Sequence, residues 1–103
     1  MSDPQRPKIT IDLSRPRIYV DFLNADDEGR LKLNLDGTRR DLAAHRVELR
    51  QGLKLLLWSD DADATGAADD LLAEGTVEFD RDTGKWVVRI DADAIRNESE
   101  LRP

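Results

Sequence analysis

The sequence predicts a small, mainly β protein: a five-stranded antiparallel barrel carrying one short helix. Three observations lead there. Apolar residues recur at every second position in five separate short runs. Glycine- and aspartate-rich segments that turn a chain join several of these runs. One stretch alone breaks the period and reads as helix. At 103 residues, the chain amounts to one domain.

Residues 1–16 form a polar N-terminal arm with prolines at 4, 7 and 16, and "KITIDL" in it alternates just enough to add a strand edge. The barrel domain is residues 17–92. Its first strand, "IYVDFLN", sets Ile18, Val20 and Phe22 on one face. "NADDEG" follows as a hairpin loop ending in Gly29. "RLKLNL" sets Leu31, Leu33 and Leu35 together, with Lys32 and Asn34 opposite.

Next comes the helix, in "GTRRDLAAHRVELRQG". Thr38 with Asp41 three residues on is a variant of the capping box, and Leu42 and Val47 would face the barrel. Gly52 turns the chain into "GLKLLLWS", where Leu53, Leu55 and Leu57 share a face and Leu56 and Trp58 point away from it. "GTVEFD" then pairs Val77 with Phe79. "KWVVRID" aligns Trp86, Val88 and Ile90, and Gly84 in "FDRDTGKW" makes the last two strands hairpin partners. A bulge at Gly75 would turn Leu72 onto the face of Val77. Residues 93–103 are a polar C-terminal tail.

These patterns resemble an SH3-like barrel over residues 17–91. "IYVDF" stands where that family's first strand carries aromatic residues. "ELRQGLKLLLW" is similar to its turn and second long strand, and "GKWVVRI" to a strand opening on tryptophan. There is one tryptophan at that opening rather than two, and no Pro-Ser-Asn-Tyr-like segment follows. The resemblance therefore implies a fold class, and no proline-rich-peptide recognition passes to Tyr19 or Trp86.

Composition removes whole classes of chemistry. The chain has no cysteine, so disulfides and thiolate chemistry are excluded. "MSDPQRPK" shows no apolar signal region and "LLLW" is far too short to span a membrane, so the expected location is the cytoplasm. The net charge is −6, and its distribution is uneven: residues 1–55 carry 11 basic and 9 acidic side chains, residues 56–103 carry 5 and 13. That balance disfavours an anionic membrane or a broad nucleic-acid surface as partner.

The acidity centres on "WSDDADATGAADDLLAEG". In a calcium-loop register beginning at Asp61, Asp63 takes the third position, Thr65 the fifth, Gly66 the sixth and Asp69 the ninth. The twelfth is Leu72, where a bidentate carboxylate belongs, so any Ca2+ site there would be millimolar. A solvated hairpin loop is the alternative. A third reading is one or two helical turns from Thr65 to a glycine stop at Gly75.

Arg39, Arg40, Arg46 and Arg50, with Lys54 after them, line the helix region and raise the alternative of an RNA-binding barrel. No aromatic residue alternates with them to stack on bases. His45 is the only histidine, and Ser59 has no other base to activate it. Pairs such as Asp91 and Asp93 sit in polar surroundings that would not raise a carboxyl pKa. With no nucleophile–base–orienter set, the sequence predicts no enzyme.

What is left is binding. Leu56 and Trp58 point outward from their strand and form an apolar patch unless an arm or the helix covers them. Together with Asp26, Asp27 and Glu28 and the loop Asp60–Asp70, they define a protein-binding surface whose acidic rim suits a basic partner. The sequence leaves the partner's identity and the oligomeric state open.

Overall fold

The computed structural model describes residues 8–101. The strands are β1 (Arg17–Tyr19), β2 (Arg30–Lys32), β3 (Lys54–Ser59), β4 (Leu71–Asp80), β5 (Lys85–Ile90) and β6 (Arg96–Asn97). Helix α1 (Asp36–Ala44) lies between β2 and β3, and a short helix, α2 (Glu98–Leu101), follows β6. Each of the five alternating runs contributes a strand, the first two of only three residues each. Their assembly differs from the expected closed antiparallel barrel. Together with β6 they build one open, mixed, six-stranded sheet in the order β1-β3-β4-β5-β2, with β6 also on β4.

The mixed character comes from β1, which pairs in parallel with β3, Arg17 opposite Leu56 and Tyr19 opposite Trp58. A parallel pair needs a long crossover. Residues 20–53 provide it, and α1 sits within it. β2 meanwhile pairs with β5 at the far edge, so "NADDEG" does not join hairpin partners. It folds back locally on β2: Ala25 bridges Leu31, and Asp26 Oδ1 accepts the Glu28 and Arg30 amides.

β4 is the spine of the sheet. It pairs with β3 from Lys54–Thr76 to Ser59–Leu71 without a break, so no bulge occurs at Gly75. Gly75 serves packing instead. A Cβ there would stand 2.5 Å from Val88 Cγ2 and 2.8 Å from Leu57 Cδ1. The missing side chain lets these two core residues close over the backbone. β5 pairs with the second part of β4, from Gly75 opposite Ile90 onward. A 3-10 turn, Ala92–Ala94, then shifts the chain, and β6 pairs with the start of β4 at Leu71 and Leu72. The helical reading of residues 65–75 is thereby corrected: their second part is strand, and β-pairing on both sides outweighs local helix signals.

Alternation sorts the sheet's two faces. Ile18, Val20, Leu31, Leu33, Leu55, Leu57, Val77 and Val88 form the buried core, with Leu42, Val47, Leu49 and Trp86 packed against it. Each fully buried leucine or valine contributes roughly 1.5–3 kcal/mol. Phe79, expected beside Val77, lies near the hairpin end, 43% exposed and edge-on to Trp86. On the other face, Tyr19, Trp58, Leu72 and Arg96 form a row across β1, β3, β4 and β6. Leu72 is fully buried there, on the face opposite Val77. "KITIDL" forms no strand, yet its alternation persists: Ile9, Ile11 and Leu13 are half-buried and the residues between them exposed.

Helix α1 begins two residues before Thr38, with Leu35 at its N-cap and no side-chain cap. It ends in a Schellman motif. The Arg46 amide donates to Ala43 O and the Val47 amide to Leu42 O, and Arg46 takes a left-handed φ of 54°. The motif brings Leu42 and Val47 together against the core, as their spacing predicts.

Candidate functional site

Thr38 and Asp41 do not cap their own helix. They complete the edge strand. β1 has β3 on one side only, which leaves backbone groups of its other edge in need of partners. Thr38, fully buried, donates its hydroxyl to Tyr19 O at 2.6 Å. Asp41 Oδ2 accepts the Tyr19 amide at 2.8 Å and the Trp58 indole N–H at 2.8 Å. The same carboxylate thus ties α1 to both β1 and β3. Gly37 allows this close approach, since a Cβ there would lie 2.8 Å from the Tyr19 ring.

The Tyr19 and Trp58 rings meet edge to face, centroids 5.3 Å apart at 73°. Around them opens a cleft of ≈230 Å³ lined by Tyr19, Gly37, Arg40, Asp41, Trp58 and Asp60. Both rings are half-buried, Arg40 and Asp60 are exposed, and Arg40 makes no ion pair with a described residue. The polar atom of Trp58 is committed to the fold, so what the ring offers the cleft is carbon surface.

The residues singled out in the sequence do not all gather here. Trp58 does. Leu56, two residues before it on the same face, is 0% exposed and offers no surface. Asp26, Asp27 and Glu28 lie beside β2, with β5 and β4 between them and β3. Two of the three are engaged by one guanidinium: Arg30 meets Asp26 at 2.9 Å and Glu28 at 2.8 Å. The Arg30 amide, then that of Glu28, and the Arg30 side chain hold Asp26 below the usual carboxylate range. Arg89 joins this network through Glu78 and the Glu28 carbonyl.

The acidic loop is a β3–β4 hairpin connection narrowed by an Ala62–Ala68 bridge. Its four candidate cation ligands are engaged in hydrogen bonds within the loop and to the C-terminal segment. Asp63 Oδ1 accepts the Thr65 hydroxyl and the Thr65 and Ala67 amides, which lowers the Asp63 pKa, the hydroxyl most strongly. Asp61 accepts from Asn97 Nδ2, and its pKa is lowered chiefly by that bond. Asp69 accepts the Ser99 amide and hydroxyl. Among the described residues, no group of three or more carboxylate, histidine or cysteine side chains converges as a metal site.

Those bonds instead anchor the C-terminal segment. Asn97 also donates to Asp69 O, the Glu98 amide to Asp70 O, and Arg17 pairs with Glu98 at 2.6 Å. Arg96, 3% exposed, donates to the Asp93 and Ile95 carbonyls at the 3-10 turn. Asp70 has the opposite electrostatic character to Asp61 and Asp63. Burial first, then Asp60 and Glu98, push its pKa up, against the pull of Arg17.

The arginines of the α1 region are spread out. Arg39, Arg40, Arg46 and Arg50 are all exposed, but only Arg40 reaches the cleft. His45 is the exposed C-cap residue of α1. No described helix is long and apolar enough to cross a membrane.

Fold and cleft together define a small mainly β protein with an open mixed sheet and a cleft between an edge strand and its covering helix. No family model, curated protein or solved structure matches the chain.

Proposed function

We propose that this protein is a small cytoplasmic binding module without catalytic activity, and that its partner, another protein, docks at the Tyr19–Trp58 cleft. The observation that carries this reading is the pair of half-buried rings at the cleft, Trp58 fixed by its indole N–H on Asp41 and Tyr19 packed edge to face against it. Aromatic side chains fixed by the framework and set in a partly desolvated cleft are the residues that dominate binding energy at protein interfaces. The surface is smaller than sequence pattern alone suggests: Trp58 anchors it, while Leu56 supports it from beneath the surface. The acids beside β2 lie outside it. Neither calcium nor RNA has a comparable arrangement in its favour.

The test is photo-crosslinking in the producing cell, with a benzophenone amino acid in place of Arg40 or Asp60, and Arg50 and Lys85 as control positions. The expected result is one discrete adduct shared by the Arg40 and Asp60 positions and suppressed by excess unmodified protein. Adducts equal at all four positions, or none at the two cleft positions, would overturn the reading.

A further inference from the structure

This inference rests on the docking reading above and specifies what enters the cleft. We propose that the cleft receives one arginine side chain of the partner, its guanidinium at Asp60 and Asp41 and its stem along Trp58.

Size comes first. At ≈230 Å³ the cleft falls below the roughly 300–1,000 Å³ of pockets that enclose drug-sized ligands, and suits a single long side chain. Charge comes second. The lining holds two carboxylates, Asp41 and Asp60, and one guanidinium, Arg40. Asp41 is already oriented: its Oδ2 takes both fold-internal donors, and no described donor meets Oδ1. The second oxygen remains as an acceptor on a carboxylate that cannot swing away without losing two hydrogen bonds.

The local field points the same way. Asp60, Asp69 and Glu98 each act on Asp70 as negative charges and Arg17 as a positive one. Asp70 holds its proton more tightly through burial first and then through the charges of Asp60 and Glu98, so the surroundings of Asp60 are acidic. A cation is favoured there for the same reason. The aromatic wall selects among cations. A planar, loosely hydrated guanidinium stacks on an indole and forks onto carboxylate oxygens, whereas an ammonium is a compact and strongly hydrated charge. Arg40 on the α1 side works against occupancy and sets an upper limit on affinity.

The probe is acetyl-Gly-Arg-Gly-amide, with the citrulline peptide as its neutral isostere. The readouts are the Trp58 indole N–H and the Asp60 amide in a proton–nitrogen correlation spectrum. The arginine peptide is expected to shift both saturably, with a Kd on the order of 1 mM, as one side chain can supply. Asp60→Asn should weaken it by about fivefold, the scale of an exposed ion pair, with the rest of the spectrum unchanged. Arg40→Gln should strengthen it. Equal shifts with citrulline, an unaltered Kd in Asp60→Asn, or no saturable shift at tens of millimolar peptide would each overturn the proposal. A cleft adduct in the cell alongside an absent arginine response removes this inference and leaves the docking reading standing. An arginine response without the adduct overturns the docking reading, and with it the partner, and leaves only a cleft that binds arginine.

Discussion

Trp58 and Asp41 are joined by a 2.8 Å hydrogen bond from the indole N–H to the carboxylate oxygen that also accepts the Tyr19 amide. One side chain of α1 thus satisfies a backbone donor of the edge strand and the ring nitrogen of its neighbour. Helix, sheet edge and cleft wall are held by the same atom.

Removing Asp41 therefore has a cost beyond its own contacts. Asp41→Ala leaves two part-buried donors without their partner and should destabilise the fold by about 2 kcal/mol, the scale of hydrogen bonds to a charged acceptor. Asp41→Asn keeps a carbonyl oxygen and should lose less. Urea unfolding checks the order of the two midpoints, and the Trp58 indole proton should move in both variants.

Gly75 is a packing residue. Gly75→Ala drives a methyl to 2.5 Å from Val88 Cγ2 and should cost about 1–3 kcal/mol through overpacking. Combining it with Val88→Ala removes that collision. The double variant should be less destabilised than the sum of the single ones, which a double-mutant cycle in urea measures.

Arg46 stands where helices favour glycine. Its φ of 54° puts a non-glycine residue in the left-handed region at the end of α1. Arg46→Gly relieves that strain while keeping both Schellman hydrogen bonds, and should raise stability by about 0.5–1 kcal/mol. A lower urea midpoint for Arg46→Gly would contradict this account of the helix end.

Asp70 gives the pH dependence a definite sign. Its folded pKa is raised above the ordinary 3.8, so the folded state binds its proton more tightly than the unfolded state does. Stability from this group is complete below pH 3.8 and is lost as pH rises through the folded pKa. Asp70→Asn removes that loss. It should exceed the native protein in stability at pH 7 and match it in acid, as urea midpoints from pH 3 to 8 would show. Asp61 and Asp63, with lowered pKa values, act in the opposite sense: their contribution is present above the ordinary carboxylate range and lost as pH falls through their folded pKa.

Much of the local structure is legible in the chain. Leu55 and Leu57 alternate with Lys54 and Leu56 because a strand exposes its two faces in turn, and the core contains the first pair as that period requires. Gly84, with φ of 69°, turns β4 into β5 where the spacing of its neighbours places a hairpin. Thr38 and Asp41 show the limit of such reading. Their spacing fits a cap, yet the same hydroxyl and carboxylate find stronger claims on an edge strand far away in sequence. Arg96 is the other limit. It sits among polar residues and nonetheless occupies a buried position beside Leu72, its charge spread over backbone carbonyls.

By itself, the sequence determined that short alternating strands form around one helix, that Ile18, Val20, Leu31, Leu33, Leu55, Leu57, Val77 and Val88 belong to the core, and that no thiol chemistry is available. These follow from composition and from a backbone period expressed within a few residues. Tertiary structure alone decided that β1 runs parallel to β3, that β6 caps the start of β4, that Leu56 is buried, and that Tyr19, Asp41 and Trp58 meet. Each of these pairs groups far apart in the chain. Their partners are selected by the joint burial of apolar faces and by the need to satisfy an exposed sheet edge, which no short window of residues contains.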